Sequence, residues 1–422
     1  MKRKFVLSLV SLVLSVSLLF TLGVPAFAKN DNKTDYPFIY IHGMMGWGEG
    51  SPMEKDTPYW GTQPENNVMT YLRSKGYNVY NPPVSGLGSA WDRCCELYAQ
   101  LTGTVVDYGE AHSKQCGHER YGRDYTGKAT MGEPWDLKMP LNLVGHSFGG
   151  ATVRLFASLV AYGDETEKEV SGDNCSELFK GGHEKAIYSV TTMAAPHNGS
   201  TVSNYLSDPV LPAALVVMLT QGANNSGITN MDIMFDHWGI TADPSTGAEQ
   251  PKLSFRKCLK AAASKDHCGY DMTVQGAEKL NEKIKTVKTA YYFSYTTCIT
   301  ETDKRGYTKV SDNYENVFSL FKMTSTIISG SVGVFLGGKY IDKSWGANDG
   351  IVPLKSALYP FDEDHITYEE NRELQPGVWY VMPTIMGADH YDFCTAADTG
   401  EMGTKEEYFG LYTDLMERIY NL

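Results

Sequence analysis

The chain has 422 residues, 42% of them hydrophobic, and a formal net charge of −13. That length can bury a large core as one α/β folding unit with insertions. The acidic balance and the lack of a continuous basic stretch argue against nucleic acid as a partner, and eight cysteines are too few for a disulfide scaffold.

In chain order, Lys2, Arg3 and Lys4 precede an apolar stretch over residues 5–24, and Ala26 and Ala28 follow as a small-residue pair. This is the pattern of a secretory signal peptide. Residues 1–28 are therefore expected to be removed, leaving 29–422 as one exported domain with no stable membrane insertion. A permanent anchor is the competing reading, and the placement of the alanine pair weighs against it. In such a compartment disulfides are permitted, and Cys258 and Cys268 are near enough in sequence to pair.

"YPFIYIHG" (36–43) reads as a buried strand entering a glycine turn. A helix is expected near 69–75 and a strand near 77–81. Residues 86–140 are polar, aromatic and histidine-bearing, and read as an insertion. A strand over 141–145 passes straight into a helix over 149–162. Residues 186–200 give another strand ending in a loop, and 200–235 contain an apolar helix in "PVLPAALVVMLTQG". Later strands are expected within 290–297 and 377–387, and a closing helix over 405–420. Strands alternating with helices predict an α/β fold: a mainly parallel sheet with helices on both faces.

The strand-to-helix junction "LVGHSFGGATVRLF" carries the chemistry. Gly145-His146-Ser147-Phe148-Gly149 is a G-x-S-x-G pattern in the setting that makes a nucleophile elbow. There the serine stands on a sharp turn and the helix behind it offers free N–H groups to developing negative charge. A serine needs a base, and the base needs orienting. In the chain order Ser, acid, His, the best-placed histidine is His390 in "GADHYDF". Asp349, in the glycine turn of "WGANDGIVP", is the candidate acid; its plainer role is to cap that turn. An oxyanion hole needs two N–H donors: Phe148, just after the serine, and Met44 in "HGMMGWG" after the first strand.

These segments, with "WDRCCELYAQLTGTVVDYGEAHSKQCGHERYGR", "TTMAAPHNGS", "FDHWG", "GAEKLN" and "DHYDF", resemble the secreted lipases of Gram-positive bacteria, the thermoalkaliphilic Bacillus/Geobacillus group and its staphylococcal relatives. The resemblance runs from about residue 36 to the C-terminus. It implies an α/β-hydrolase fold and a catalytic set of Ser147, Asp349 and His390, with Met44 and Phe148 as oxyanion donors. It also implies a lid near 200–235 and a structural zinc in the inserted subdomain, 86–140, held by Asp92, His112, His118 and Asp236. By spacing alone, two histidines six apart with remote carboxylates are a weak metal signal, and Cys94, Cys95 and Cys116 form an alternative set. A calcium ion near the catalytic histidine is implied through Asp392, with Asp398 as a second ligand after a one-residue shift. The implied activity is hydrolysis of triacylglycerols and related esters at a lipid–water or polymer surface. An open-cleft carboxylesterase or polyester hydrolase would use the same triad, and a phospholipase is a weaker rival. Phe148 replaces the Gln or Met of the relatives, and the lid region looks shorter than theirs.

Overall fold

The computed structural model describes residues 35–51, 53–206, 234–240, 255–314, 317–395 and 402–422. The expected signal peptide, the part of the lid region over 207–233, and Asp398 lie outside the described residues.

Seven strands form one sheet. They are β1 (Phe38–Ile41), β2 (Val79–Tyr80), β5 (Leu141–His146), β6 (Ile187–Met193), β7 (Tyr291–Tyr295), β8 (His365–Thr367) and β9 (Trp379–Val381). The order is β8–β9–β7–β6–β5–β1–β2, and every neighbouring pair is parallel. Of four small two-stranded sheets among the described residues, one pairs β3 (Val105–Asp107) with β4 (Tyr121–Asp124) antiparallel, off this sheet. β1 and β5 are buried at every position, as strands of a sheet covered on both faces should be. The polar exception in β5 is satisfied: Asn142 accepts from Ser189 Oγ at 2.7 Å and donates to Tyr36 O at 3.2 Å.

Period-two alternation sends β1 into two cores. Ile39 and Ile41 face one, with α2 (Ala90–Thr102) and α4 (Phe148–Tyr162). Phe38 and Tyr40 face the other, with α1 (Val68–Ser74) and the C-terminal helix Lys405–Tyr420. That last helix opens with a capping box between Thr404 and Glu407, which satisfies two N–H groups of its first turn. It buries Tyr408, Tyr412, Leu415, Met416 and Ile419 along one stripe.

The stretch read as a polar insertion divides. Ala90–Leu101 is buried throughout and packs on α4 as a core helix. Its three buried charged residues, Asp92, Arg93 and Glu96, made it look like surface. Only α3 (Glu110–Cys116) and the β3–β4 hairpin stand apart from the main sheet. All eight cysteines are free thiols, so Cys258 and Cys268 are not paired.

Candidate active site and metal centre

The carboxyl ends of β1 and β5 and the segment after β9 converge, as ligand sites of open α/β sheets do. Ser147 sits at φ 54°, ψ −128° between β5 and α4, a left-handed position that a residue other than glycine holds only when its surroundings force it. The force is close packing. A Cβ on Gly145 would lie 2.4 Å from Gly149 C, and one on Gly149 would lie 2.2 Å from Ile41 O. Strand and helix can therefore approach only if both are glycine.

His390 Nε2 lies 2.8 Å from Ser147 Oγ, and His390 Nδ1 lies 2.8 Å from Asp349 Oδ2. All three side chains are buried. Asp349 Oδ1 also accepts from the N–H groups of Ile351 and Val352, at 2.9 and 2.7 Å, and its carbonyl takes the His390 N–H at 3.0 Å. The carboxylate thus caps its turn and faces the imidazole at once. Asp389, next to His390, points elsewhere, accepting from Phe318 and Tyr391. Tyr408 and Tyr412 from the C-terminal helix both donate to Phe393 O, the first at 3.1 Å, and so fix the loop that carries His390.

Phe148 is the first residue of α4, where the N–H has no intrahelical acceptor. The Gly43–Met44 peptide is held from its carbonyl side: His42 Nδ1 donates to Gly43 O at 2.8 Å and Gly46 N donates at 3.2 Å. Val84 N donates to His42 Nε2 at 3.2 Å, which fixes the tautomer with its proton on Nδ1. Because N–H and C=O point opposite ways in a trans peptide, this leaves the Met44 N–H directed away from those partners. Buried Arg93 donates to His42 O, and its guanidinium carbon sits 5.1 Å above the Phe148 ring. Sequence reasoning singled out neither His42 nor Arg93, since a histidine ending a strand and an arginine in a helix carry no visible signal.

A second cluster lies around Asp92. His112 Nε2 is 3.1 Å from Asp92 Oδ1 and 3.3 Å from Asp266 Oδ1, and His118 Nε2 is 3.2 Å from Asp266 Oδ2. His118 Nδ1 faces Glu119 O at 2.8 Å, a contact that needs the proton on Nδ1 and leaves an Nε2 lone pair aimed inward. Neither His118 Nε2 nor Asp266 Oδ2 has a well-aligned hydrogen-bond partner, although both are buried. Lone pairs converging in this way suit a metal ion.

Asp236, expected as a ligand, is not in this cluster: Arg123 Nε from β4 donates to its Oδ2. Residues 236–238 form a single 3-10 turn, whose successive side chains diverge, so His237 is the one that faces in, 3.1 Å from Asp92 Oδ2. The carboxylate that joins Asp92 is Asp266. Cys94 donates to Thr152 O and faces the core, while Cys116 Sγ lies at the cluster's edge, 3.9 Å from His112 Nδ1.

The sequence profile of the lipase-like C-terminal domain matches residues 34–421. The chain belongs to this lipase family. It is 35% identical over 364 residues to a lipase of Staphylococcus hyicus, covering 86% of this chain and 54% of that protein. It is 34% identical over 367 residues to lipase 2 of Staphylococcus aureus strain N315, covering 85% and 50%. It therefore spans about half the length of the curated relatives it matches. Among solved structures, the Staphylococcus hyicus lipase aligns with TM-score 0.75 at 32% identity, over 95% of this chain and 98% of that one. EstA from Clostridium botulinum aligns with TM-score 0.74 at 31% identity, over 92% and 87%.

Beside Met44 this lipase-family chain has an apolar cavity of about 220 Å³, walled by Leu87, Leu206, Phe235, Ile240, Met272 and neighbouring residues. Asp392, the calcium candidate, accepts from Asp389 N at 2.6 Å. Burial, with Asp389 alongside, pushes its carboxyl up to about 7. Among the described residues, no cluster of three or more metal-ligand side chains includes it. No helix among them is long and apolar enough to cross a membrane.

Proposed function

We propose that this protein is a secreted lipase-type serine carboxylester hydrolase that cleaves triacylglycerols and related esters through an acyl-enzyme. The observation that carries the reading is the unbroken contact from Ser147 Oγ through His390 to Asp349 on a strained elbow. His390 Nε2 takes the Ser147 proton as Oγ attacks the ester carbonyl, and Asp349 holds the resulting imidazolium in place. The oxyanion is met by the N–H groups of Met44 and Phe148. His390 returns its proton to the leaving alcohol, and water then repeats the sequence to release the acid. The cavity beside Met44 suits the acyl chain because its walls are apolar. The open-cleft esterase, which would use the same triad, is the second reading.

Asp92, His112, His118 and Asp266 would hold a structural zinc. Zinc bound at about 2.0 Å in a tetrahedron needs donors about 3.3 Å apart; His112 lies 3.1 Å from Asp92 Oδ1 and 3.3 Å from Asp266 Oδ1, and His118 lies 3.2 Å from Asp266 Oδ2 and 4.0 Å from Asp92 Oδ1, so closing the tetrahedron would draw His118 toward Asp92. Four protein donors leave no open position for chemistry, so the ion would tie segments together. Secretion rests on the N-terminal signal pattern of the sequence.

The test is hydrolysis of para-nitrophenyl esters from C2 to C16, plus an emulsified long-chain triglyceride, beside Ser147→Ala. The variant is expected to lose activity by about 10⁴-fold or more. Equal rates in both proteins would reject the mechanism. Activity confined to short or polymeric esters would move the substrate to the second reading.

A further inference from the structure

Three segments of the site meet at one buried hydroxyl. Tyr59 lies in the loop between β1 and α1, and Gly43 N–H donates to its Oη at 2.8 Å. The same Oη is 2.7 Å from His146 Nδ1, and His146 Nε2 is 3.0 Å from His390 O. A carbonyl only accepts, so Nε2 carries the proton, Nδ1 is an acceptor, and Tyr59 is the donor. Burial, with the imidazole of His390 nearby, holds His146 well below the usual histidine range and therefore neutral. The thiol of Cys394 approaches the same Nδ1 at 3.3 Å.

We propose that Tyr59 is a positioning residue that works through His146 to fix the oxyanion segment against the nucleophile and the base. Each contact is one residue from, or on, a group the reaction uses. Gly43 precedes Met44, His146 precedes Ser147, and the carbonyl that His146 holds belongs to His390 itself. With Gly43 O already held by His42 and Gly46, the Tyr59 hydroxyl closes the other side of the same residue. Without it, Gly43 N–H loses its acceptor and His146 Nδ1 is left to the Cys394 thiol at 3.3 Å, and three loops that must register to a fraction of an ångström share one fewer constraint. Tyr59 touches neither substrate nor reacting atoms. Its loss should therefore weaken the transition state and spare ground-state binding.

The proposal rests on the ester-hydrolase reading, and its test separates the two. In the full chain, Tyr59→Phe is expected to lower kcat on a short para-nitrophenyl ester by about 10- to 100-fold, with KM within about twofold. Affinity for a trifluoromethyl ketone that forms a hemiketal with Ser147 should fall by the same factor as kcat. A second readout needs no variant to fold: in nitrogen-15 spectra of the wild type, the ring assigned to His146 by correlation to its own backbone should be neutral and in the Nε2–H tautomer at about pH 7. Unchanged kcat in Tyr59→Phe would overturn the proposal while leaving the hydrolase reading intact. So would a fall in kcat with unchanged ketone affinity, or a His146 ring protonated on Nδ1. Absence of ester hydrolysis in the wild type would overturn both.

Discussion

At the scale of single residues, the site divides into groups that the sequence displays and groups that only folding reveals. The Ser147 turn was legible because a sharp strand-to-helix elbow demands a spacing, glycine on either side at two residues, whose steric reason the structure makes plain. His390 and Asp349 were legible through chain order and turn context. His42, Tyr59 and Arg93 were not, because a residue that acts by holding a backbone group leaves no pattern. The metal cluster shows the limit most sharply. Two of the four Asp-His pairs in the sequence, "FDHWG" and "KDHCG", fold near Asp92, and nothing local says which aspartate turns inward. From the first pair it is His237 that faces Asp92; from the second it is Asp266. Metal content decides between them. Asp266→Ala is expected to lose most of its bound zinc, whereas Asp236→Ala keeps about one equivalent, both measured by elemental analysis of protein purified without chelators. At Asp349, replacement by Asn keeps the size but allows the wrong imidazole tautomer. A fall in kcat on the order of 10⁴ is expected, read by steady-state kinetics on a soluble ester.

At the scale of elements, strands and helices with strong periodicity fell where expected. β1, β5, β6, β7 and the helices at 148–162 and 405–420 are long runs whose burial follows from composition alone. The helix Ala90–Thr102 was missed because three charged residues lie buried in its interior face, where Glu96 accepts from Ser85 N and Arg93 donates to His42 O, so that its sequence mimics a surface. The loop between β1 and α1 shows another cost of burial. Glu54 accepts from Tyr59 N at 3.0 Å and from Asn81 Nδ2 at 2.8 Å, yet burial pushes its carboxyl from 4.5 up to about 7. The folded state therefore binds a proton that the unfolded chain has released. Stability must fall as pH rises from about 4.5 to about 7 and then level off, as far as this group is concerned. Glu54→Gln removes the titration. Its melting temperature should lose less than that of the wild type between about pH 5 and pH 8, as scanning calorimetry would record. Parallel slopes for the two proteins would contradict the assignment.

At the scale of the whole molecule, the metal cluster joins parts of the chain that are far apart in sequence. Asp92 comes from the core helix, His112 and His118 from the segment beside the β3–β4 hairpin, and Asp266 from the turn before Cys268. His267 and Cys268 also line the apolar cavity near Met44, so the cluster adjoins one wall of the cavity proposed for the acyl chain. Stripping the metal with a chelator should lower the melting temperature by several degrees through lost linkage, with restoration by zinc. At low temperature, the short-ester rate should change far less, because no step of ester cleavage passes through the cluster. An equal and immediate loss of rate and stability would place the metal in the chemistry.

The proposed mechanism requires Ser147 to be the nucleophile. The most direct test is intact-mass analysis after treatment with a phosphonate ester inhibitor, followed by peptide mapping. One adduct per chain on Ser147, formed quickly in the wild type and slowed by orders of magnitude in His390→Ala, is the expected result. No adduct, or an adduct on another residue, would contradict the mechanism.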